Sequence, residues 1–212
     1  MARLLMFVGA VLCSLTVSAE VVPQGDINLQ EMAGKWYLIG FATNAQWFTQ
    51  RTGNMNMGTA LFTPSTNGDL DVSYASLRTD GTCWRMKNQA KKTDVSGKFS
   101  YTSDNWGGEY DMLLVEVKYD EYALTHTIKT NEGDTTVINK LYGRRADLGP
   151  DLLEKFKQFS TGTGILPENI AILPNNGNTT GLMEYYYRNY SKTGDAERLL
   201  VFCFLPGECQ EA

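Results

Sequence analysis

The sequence predicts an all-β fold with one helix near its C-terminal end. Three observations lead there. β-rich, partly alternating runs succeed one another from Gly34 to Arg144, turn dipeptides separate them, and helical periodicity shows only after Pro150.

Residues 1–19 stand apart from this pattern. Arg3 precedes the apolar run from Leu4 to Leu12, and the small residues Val17, Ser18 and Ala19 end the segment before Glu20, the layout of a secretory signal peptide. The mature chain is expected to start at Glu20. The apolar run is too short to span a bilayer, and no later segment supplies about eighteen uninterrupted apolar residues. A secreted, extracellular product with no integral membrane association is expected. Residues 20–212 make a length that one domain carries with a sizeable core. The formal net charge of −5, one unit more negative once Arg3 is lost, argues against a nucleic-acid partner and leaves small neutral or apolar molecules. Cys13 leaves with the leader, so Cys83, Cys203 and Cys209 remain in an oxidising compartment, enough for one bridge and one odd thiol.

The elements follow in order. "GKWYLIGFATN" is the first β-rich run, and "MNMGTALFTP", Met55 to Pro64, the second. An Asn67-Gly68 turn precedes the alternating Leu70, Val72 and Tyr74, and Asp80-Gly81 repeats the device before "TCWRM", so two tight hairpins are expected in succession. "GKFSYTS", the long run "YDMLLVEVKYDEYALTHTIKT" broken near Asp120, and "TTVINKLYGR" after the turn "NEGD" continue the pattern. About eight strands joined by short connections describe an up-and-down barrel or a sandwich. Pro150 then suits a first helical turn, Asp151 adds favourable charge there, and Leu152, Phe156 and Phe159 share one face, which is expected to pack on the outside of a sheet. Pro167 makes a turn, and Asn169 to Leu173 form a short last strand.

Three ordered segments carry a resemblance. Gly34-Lys35-Trp36-Tyr37, "VKYDEYA" at Val117 to Ala123, and "LYGR" ending at Arg144 ahead of a helix resemble the signature segments of the lipocalins. The resemblance covers about residues 25–174 and the last few residues, and within the family the chain looks most like the prostaglandin D synthase type and its fish relatives. It implies an eight-stranded antiparallel up-and-down β-barrel, a calyx, with one C-terminal α-helix packed outside, over residues 20–174. Trp36 would then plug the closed end, with Arg144 over its indole as a cation–π pair. Both are structural residues.

Carrying the family's inward phase over by strand alternation gives a ligand-facing set. It comprises Leu38 and Gly40; Gly58, Ala60 and Phe62; Val72, Tyr74 and Ser76; Trp84, Met86 and Asn88; Phe99 and Tyr101; Tyr110, Met112 and Leu114; and Thr127, Lys129, Ile138 and Tyr142. Trp47 and Trp106 fall on loops at the open rim, where an amphipathic aromatic caps an apolar guest. Such a lumen is apolar and aromatic. The expected function is binding and transport of a small hydrophobic ligand, a retinoid, a steroid-like molecule or a fatty-acid-derived lipid, by a monomer with no cofactor.

The alternative is a prostaglandin D synthase-type isomerase, which would work on a prostaglandin endoperoxide with glutathione. Those relatives use a cysteine thiolate on the second strand, and Gly58 stands at that place here, as an open stretch of wall. Leu38, Ala60 and Tyr74 stand where supporting hydroxyls would be, and only the tyrosine keeps one. No catalytic residue is therefore assigned. His126, between Thr125 and Thr127, is expected to point outward as a lone surface histidine, and no metal site is expected. Asp120 and Glu121 lie in a turn and lack the enclosure of paired catalytic carboxylates. A siderophore would need several lumen cations, for which only Lys129 and Lys140 are available. If the inward phase holds, Glu116 and Lys140 both face the lower barrel, where a buried Glu116–Lys140 pair would orient a polar head.

The C-terminal region departs from the family. Residues 175–206 form an atypical insert, with Tyr185, Tyr186, Tyr187 and Tyr190, both glycosylation sequons at Asn178 and Asn189, and the odd thiol Cys203. It is either a lineage-specific flap or translated intron from a mistaken gene structure, and the second is favoured because the family tail resumes after it. By family position Cys83 is bridged to Cys209 in the tail, residues 207–212. So long a closed loop contributes up to about 5 kcal/mol in the chain-entropy model.

Overall fold

A computed structural model describes residues 20–49, 55–78, 81–103 and 106–175. The expected leader, sequons, insert and tail, with Cys13, Asn178, Asn189, Cys203 and Cys209, lie outside the described residues.

The strands are β1 (Gly34–Thr43), β2 (Gly58–Pro64), β3 (Leu70–Leu77), β4 (Cys83–Lys92), β5 (Lys98–Thr102), β6 (Glu109–Lys118), β7 (Tyr122–Asn131) and β8 (Asp134–Gly143). Each pairs antiparallel with the next, and β1 pairs with both β2 and β8, which closes an eight-stranded barrel. The hairpins β2–β3 and β3–β4 turn through Gly68 and Gly81, both at positive φ (+88° and +82°), which only glycine adopts without cost. A short ninth strand, β9 (Ile170–Ile172), pairs with Gly40–Ala42 of β1, on the half of β1 that β2 does not reach.

Two α-helices among the described residues finish the barrel. The single turn α1 (Leu29–Met32) crosses the closed end, where Met32 is fully buried and accepts a 2.8 Å hydrogen bond from the Trp36 indole. Trp36 meets Phe62 edge-on at 6.4 Å, and Phe62 meets Tyr142 the same way at 5.3 Å, a ladder of rings that fills the barrel floor. The Arg144 guanidinium lies 3.8 Å over the indole, as expected of these two residues. It also donates to the carbonyls of Tyr119, Lys35, Glu31 and Ala33. α2 (Pro150–Gly162) packs Phe156, with Leu152 and Phe159 beside it, on the outside of the barrel.

Strict alternation fails at two β-bulges, one between Leu38 and Gly40 and one between Leu114 and Glu116. A bulge inserts one residue and exchanges inward for outward beyond it. Gly40, expected in the lumen, therefore faces α2, where an added Cβ would lie 2.6 Å from the Phe156 ring, and Phe41 and Thr43 turn inward instead. Glu116, expected in the lower barrel, likewise faces α2. Its carboxylate pairs with Lys155 at 2.5 Å and accepts from the Tyr122 hydroxyl at 2.5 Å. The expected Glu116–Lys140 pair is overturned by the second bulge, because Lys140 remains on the lumen side.

His126 requires a further correction. It points outward as alternation requires, yet it is only 4% exposed, because α2 covers it. Its Nδ1 lies 2.7 Å from Asn139 Oδ1, and the Asn139 amide donates to Ser160 and Thr163 at the end of α2. It is a buried joint between barrel and helix rather than a surface histidine.

Candidate ligand-binding site

Inward side chains of the upper barrel enclose a cavity of about 430 Å³. Of the residues expected to line it, Leu38, Tyr74, Met86, Tyr101, Trp106, Trp47, Lys129 and Ile138 do so, with Ser76, Trp84, Asn88 and Tyr110. Its aromatic wall is built from pairs: Tyr101 stacks on Tyr110 at 4.8 Å, and Tyr74 meets Trp84 edge-on at 5.6 Å. Trp47 and Trp106 remain 46% and 51% exposed although apolar, which marks the mouth. Trp47 is seated there by the fully buried Phe48, 5.8 Å away.

The other expected residues pack the floor. Ala60, Phe62, Val72, Phe99, Met112, Leu114 and Tyr142 belong to the core around Trp36, and Thr127 is buried at the register position beside Met112. The expectation that Gly58 marks open wall is corrected by Tyr74: a Cβ at Gly58 would lie 2.5 Å from both the Tyr74 ring and the Ala75 carbonyl oxygen, with the phenol hydroxyl nearer still. Inward phase gave which side chains enter the barrel. It did not give the depth at which close packing stops and empty space begins.

Alternation missed Phe41 and Thr43 because of the bulge in β1, and Met55, Asn56, Leu77, Arg78 and Ser103 because they lie at strand ends or on loops. Thr136 follows the same phase as Ile138, and extending that alternation one step toward the mouth would have found it.

The electrostatics are one-sided. Arg78, Lys129 and Lys140 reach the cavity wall, and no aspartate or glutamate does among the described residues. Lys129 is engaged, donating to the Trp106 carbonyl at 2.8 Å with its ammonium 5.6 Å from the Tyr110 ring. Lys140 makes no hydrogen bond or ion pair with the described residues, and burial pushes its amine down to about 8. Burial raises the Tyr74 phenol to about 12, with a hydrogen bond from Ser76 opposing, and raises Tyr101 and Tyr142 as well. At neutral pH all three are therefore hydrogen-bond donors.

Among the described residues no cluster of three or more histidine, cysteine or acidic side chains is placed to hold a metal, and no helix is long and apolar enough to cross a membrane. Cys83 is the one cysteine among the described residues.

A closed antiparallel barrel, plugged by an arginine-capped tryptophan and open at an aromatic rim, defines a ligand-binding calyx protein. The profile of the lipocalin / cytosolic fatty-acid binding protein family matches residues 33–177, and the chain belongs to the lipocalin family. It is 38% identical over 170 residues to a lipocalin of Rhinella marina, covering 80% of this chain and 92% of that one. It is 30% identical over 157 residues to the prostaglandin-H2 D-isomerase of Felis catus, covering 74% and 82%. Against protein AMBP of Sus scrofa the identity is 30% over 165 residues, 77% of this chain but 49% of that longer protein. A solved structure of the siderocalin Ex-FABP, described as functioning through dual ligand specificities, superposes with a TM-score of 0.60 at 28% identity, over 68% of this chain and 95% of the other.

Proposed function

We propose that the protein is a secreted carrier that buries a small hydrophobic molecule, such as a retinoid, a steroid-like compound or a fatty-acid-derived lipid, without chemical change. The observation that carries this reading is the cavity of about 430 Å³, open at the rim, with its stacked aromatic wall. That volume lies within the range of small-molecule sites, and apolar burial supplies the driving force. Titration with retinol, read by quenching of Trp47 and Trp106 at the mouth, tests it. Saturable quenching supports the carrier, and no binding by any apolar probe of this size ends it.

The isomerase reading, brought by the similarity to prostaglandin-H2 D-isomerases, needs a nucleophile facing the lumen. Gly58 supplies none, and the Tyr74 phenol fills the space a thiol would occupy. Incubation with a prostaglandin endoperoxide and glutathione is expected to give no turnover above the nonenzymatic rate.

Secretion through removal of residues 1–19, the Cys83–Cys209 bridge, glycosylation at Asn178 and Asn189, and a monomeric state belong to the same proposal. Non-reducing peptide mapping of the secreted protein tests the bridge. Recovery of a peptide spanning Met183 to Arg188 would end the translated-intron reading of the insert.

A further inference from the structure

Among the described residues Lys140 is a charge without a counter-charge. It lies on β8 between Ile138, which lines the cavity, and Tyr142, which packs the floor, so it sits near the bottom of the open space. In register it is flanked by Phe41 of β1 and Thr125 of β7, neither of which can neutralise it. Glu116 is the carboxylate that strand alternation would have brought to it. The bulge in β6 turns Glu116 out to Lys155 and Tyr122 instead. What remains around the lower cavity is a set of phenols. Tyr101 and Tyr74 lie close enough to Tyr142 to oppose its ionisation, and each of the three is a donor at neutral pH.

An ammonium left unpaired in an apolar enclosure is costly, and the cost is removed when an anion arrives with hydrogen-bond acceptors for the surrounding donors. A neutral lipid of the same shape would leave that cost in place. The apolar wall from Tyr101 and Trp84 up to Trp47 and Trp106 suits a chain above such a head.

We propose that Lys140 is a head-group site, and that the guest is an amphiphile with a single carboxylate, bound head-down with its apolar chain toward the rim. This rests on the carrier reading and names the chemical class of its ligand. A multiply charged anion is disfavoured at this depth, because the second lumen lysine, Lys129, is held at the Trp106 carbonyl.

The pH dependence follows from the groups that face the cavity: Lys140, Lys129, Arg78 and the phenols of Tyr74, Tyr101 and Tyr110, with no histidine or carboxylate among the described lining residues. The free Lys140 amine titrates at about 8, and a bound carboxylate raises it. Preference for the acid is therefore full at neutral pH and declines as pH climbs past about 8.

The test measures the affinities of two matched pairs, retinoic acid with retinol and oleic acid with oleyl alcohol, for the full secreted protein and for Lys140→Met. The unsubstituted protein is expected to bind each acid roughly ten- to a hundredfold more tightly than its alcohol. Lys140→Met is expected to erase that gap, weakening the acid and tightening the alcohol, and its alcohol binding reports that the variant is folded. Equal affinity for acid and alcohol in the unsubstituted protein overturns the proposal and leaves the carrier standing. A gap that survives Lys140→Met overturns the assignment to this residue. Failure of all four probes overturns the proposal and the carrier together.

Discussion

The Tyr74 phenol lies directly over Gly58, so that a Cβ at residue 58 would sit 2.5 Å from its ring and from the Ala75 carbonyl oxygen. The absence of a nucleophile on β2 is thus a packing fact as well as a compositional one. The neighbouring strand has filled the space, and restoring a thiol alone does not restore a reactive site.

Gly58→Cys is accordingly expected to cost stability, about 1–3 kcal/mol for an overpacked wall. Tyr74→Ala removes the side-chain part of the conflict and leaves the Ala75 carbonyl. The two substitutions should therefore couple, the double variant being more stable than the sum of the singles predicts. Denaturant midpoints for the four proteins check this, and simple additivity would show that the Tyr74 ring is free to move aside.

At the closed end Arg144 bonds four backbone carbonyls while lying against Trp36. A lysine has one ammonium and no planar fork, so it cannot span those acceptors and cover the indole together. Arg144→Lys is expected to lose most of what Arg144→Ala loses, about 1–3 kcal/mol, because the part-buried carbonyls of Tyr119 and Ala33 lose their donor and the indole its cover either way. Thermal unfolding of both variants checks it, and a near-neutral lysine would mean that charge alone matters there.

The same residues show how far the sequence could be read. Turn dipeptides and strand alternation announced the hairpins at Gly68 and Gly81, and the ordered motifs placed Trp36 and Arg144 correctly. Alternation is a local rule that assumes an unbroken pleat. The bulges before Gly40 and Glu116 are shifts of register between β1 and β8 and between β6 and β7, set by strand pairing rather than by either run alone. Hence Phe41 was missed, Glu116 was assigned to the wrong face, and the unpaired state of Lys140 was hidden. The division between filled floor at Tyr142 and open cavity at Tyr101 was equally hidden, since it depends on summed side-chain volumes across strands rather than on any one run.

Lys140 also predicts a stability effect in the ligand-free protein. Its folded value of about 8 lies below the ordinary 10.5, so the folded state binds fewer protons between those limits and stability rises with pH across that window. Below about 8 the buried charge is a standing cost, and Lys140→Met is expected to stabilise the protein at neutral pH by about 1–3 kcal/mol. The raised phenols act oppositely above pH 10, where their deprotonation favours the unfolded chain. The difference between the two proteins from about pH 7 to 10 isolates the lysine, and a constant difference would show that the amine is hydrated as in water.

His126 sets a second, acidic window. Its ring faces Asn139 Oδ1, whose amide nitrogen is committed to Ser160 and Thr163, so Nδ1 carries the hydrogen. The ring also meets Phe159 edge-on at 6.1 Å. Burial lowers its pKa from 6.5, with the Asn139 bond opposing in part. A depressed folded value means that the unfolded chain takes up the proton first. The stability that His126 contributes is therefore complete above pH 6.5 and is lost as pH falls through that value toward the folded one. The other acid-sensitive clasp on α2, Glu116 with Lys155, begins to fail only below pH 4.5, because its carboxyl is held below the ordinary value. The two windows do not overlap near pH 6, which makes the histidine separable. The unsubstituted protein should lose stability on descending through this window, and His126→Gln, which retains a donor for Asn139, should lose much less. Parallel decline of the two proteins would mean that α2 opens to water before the imidazole is charged.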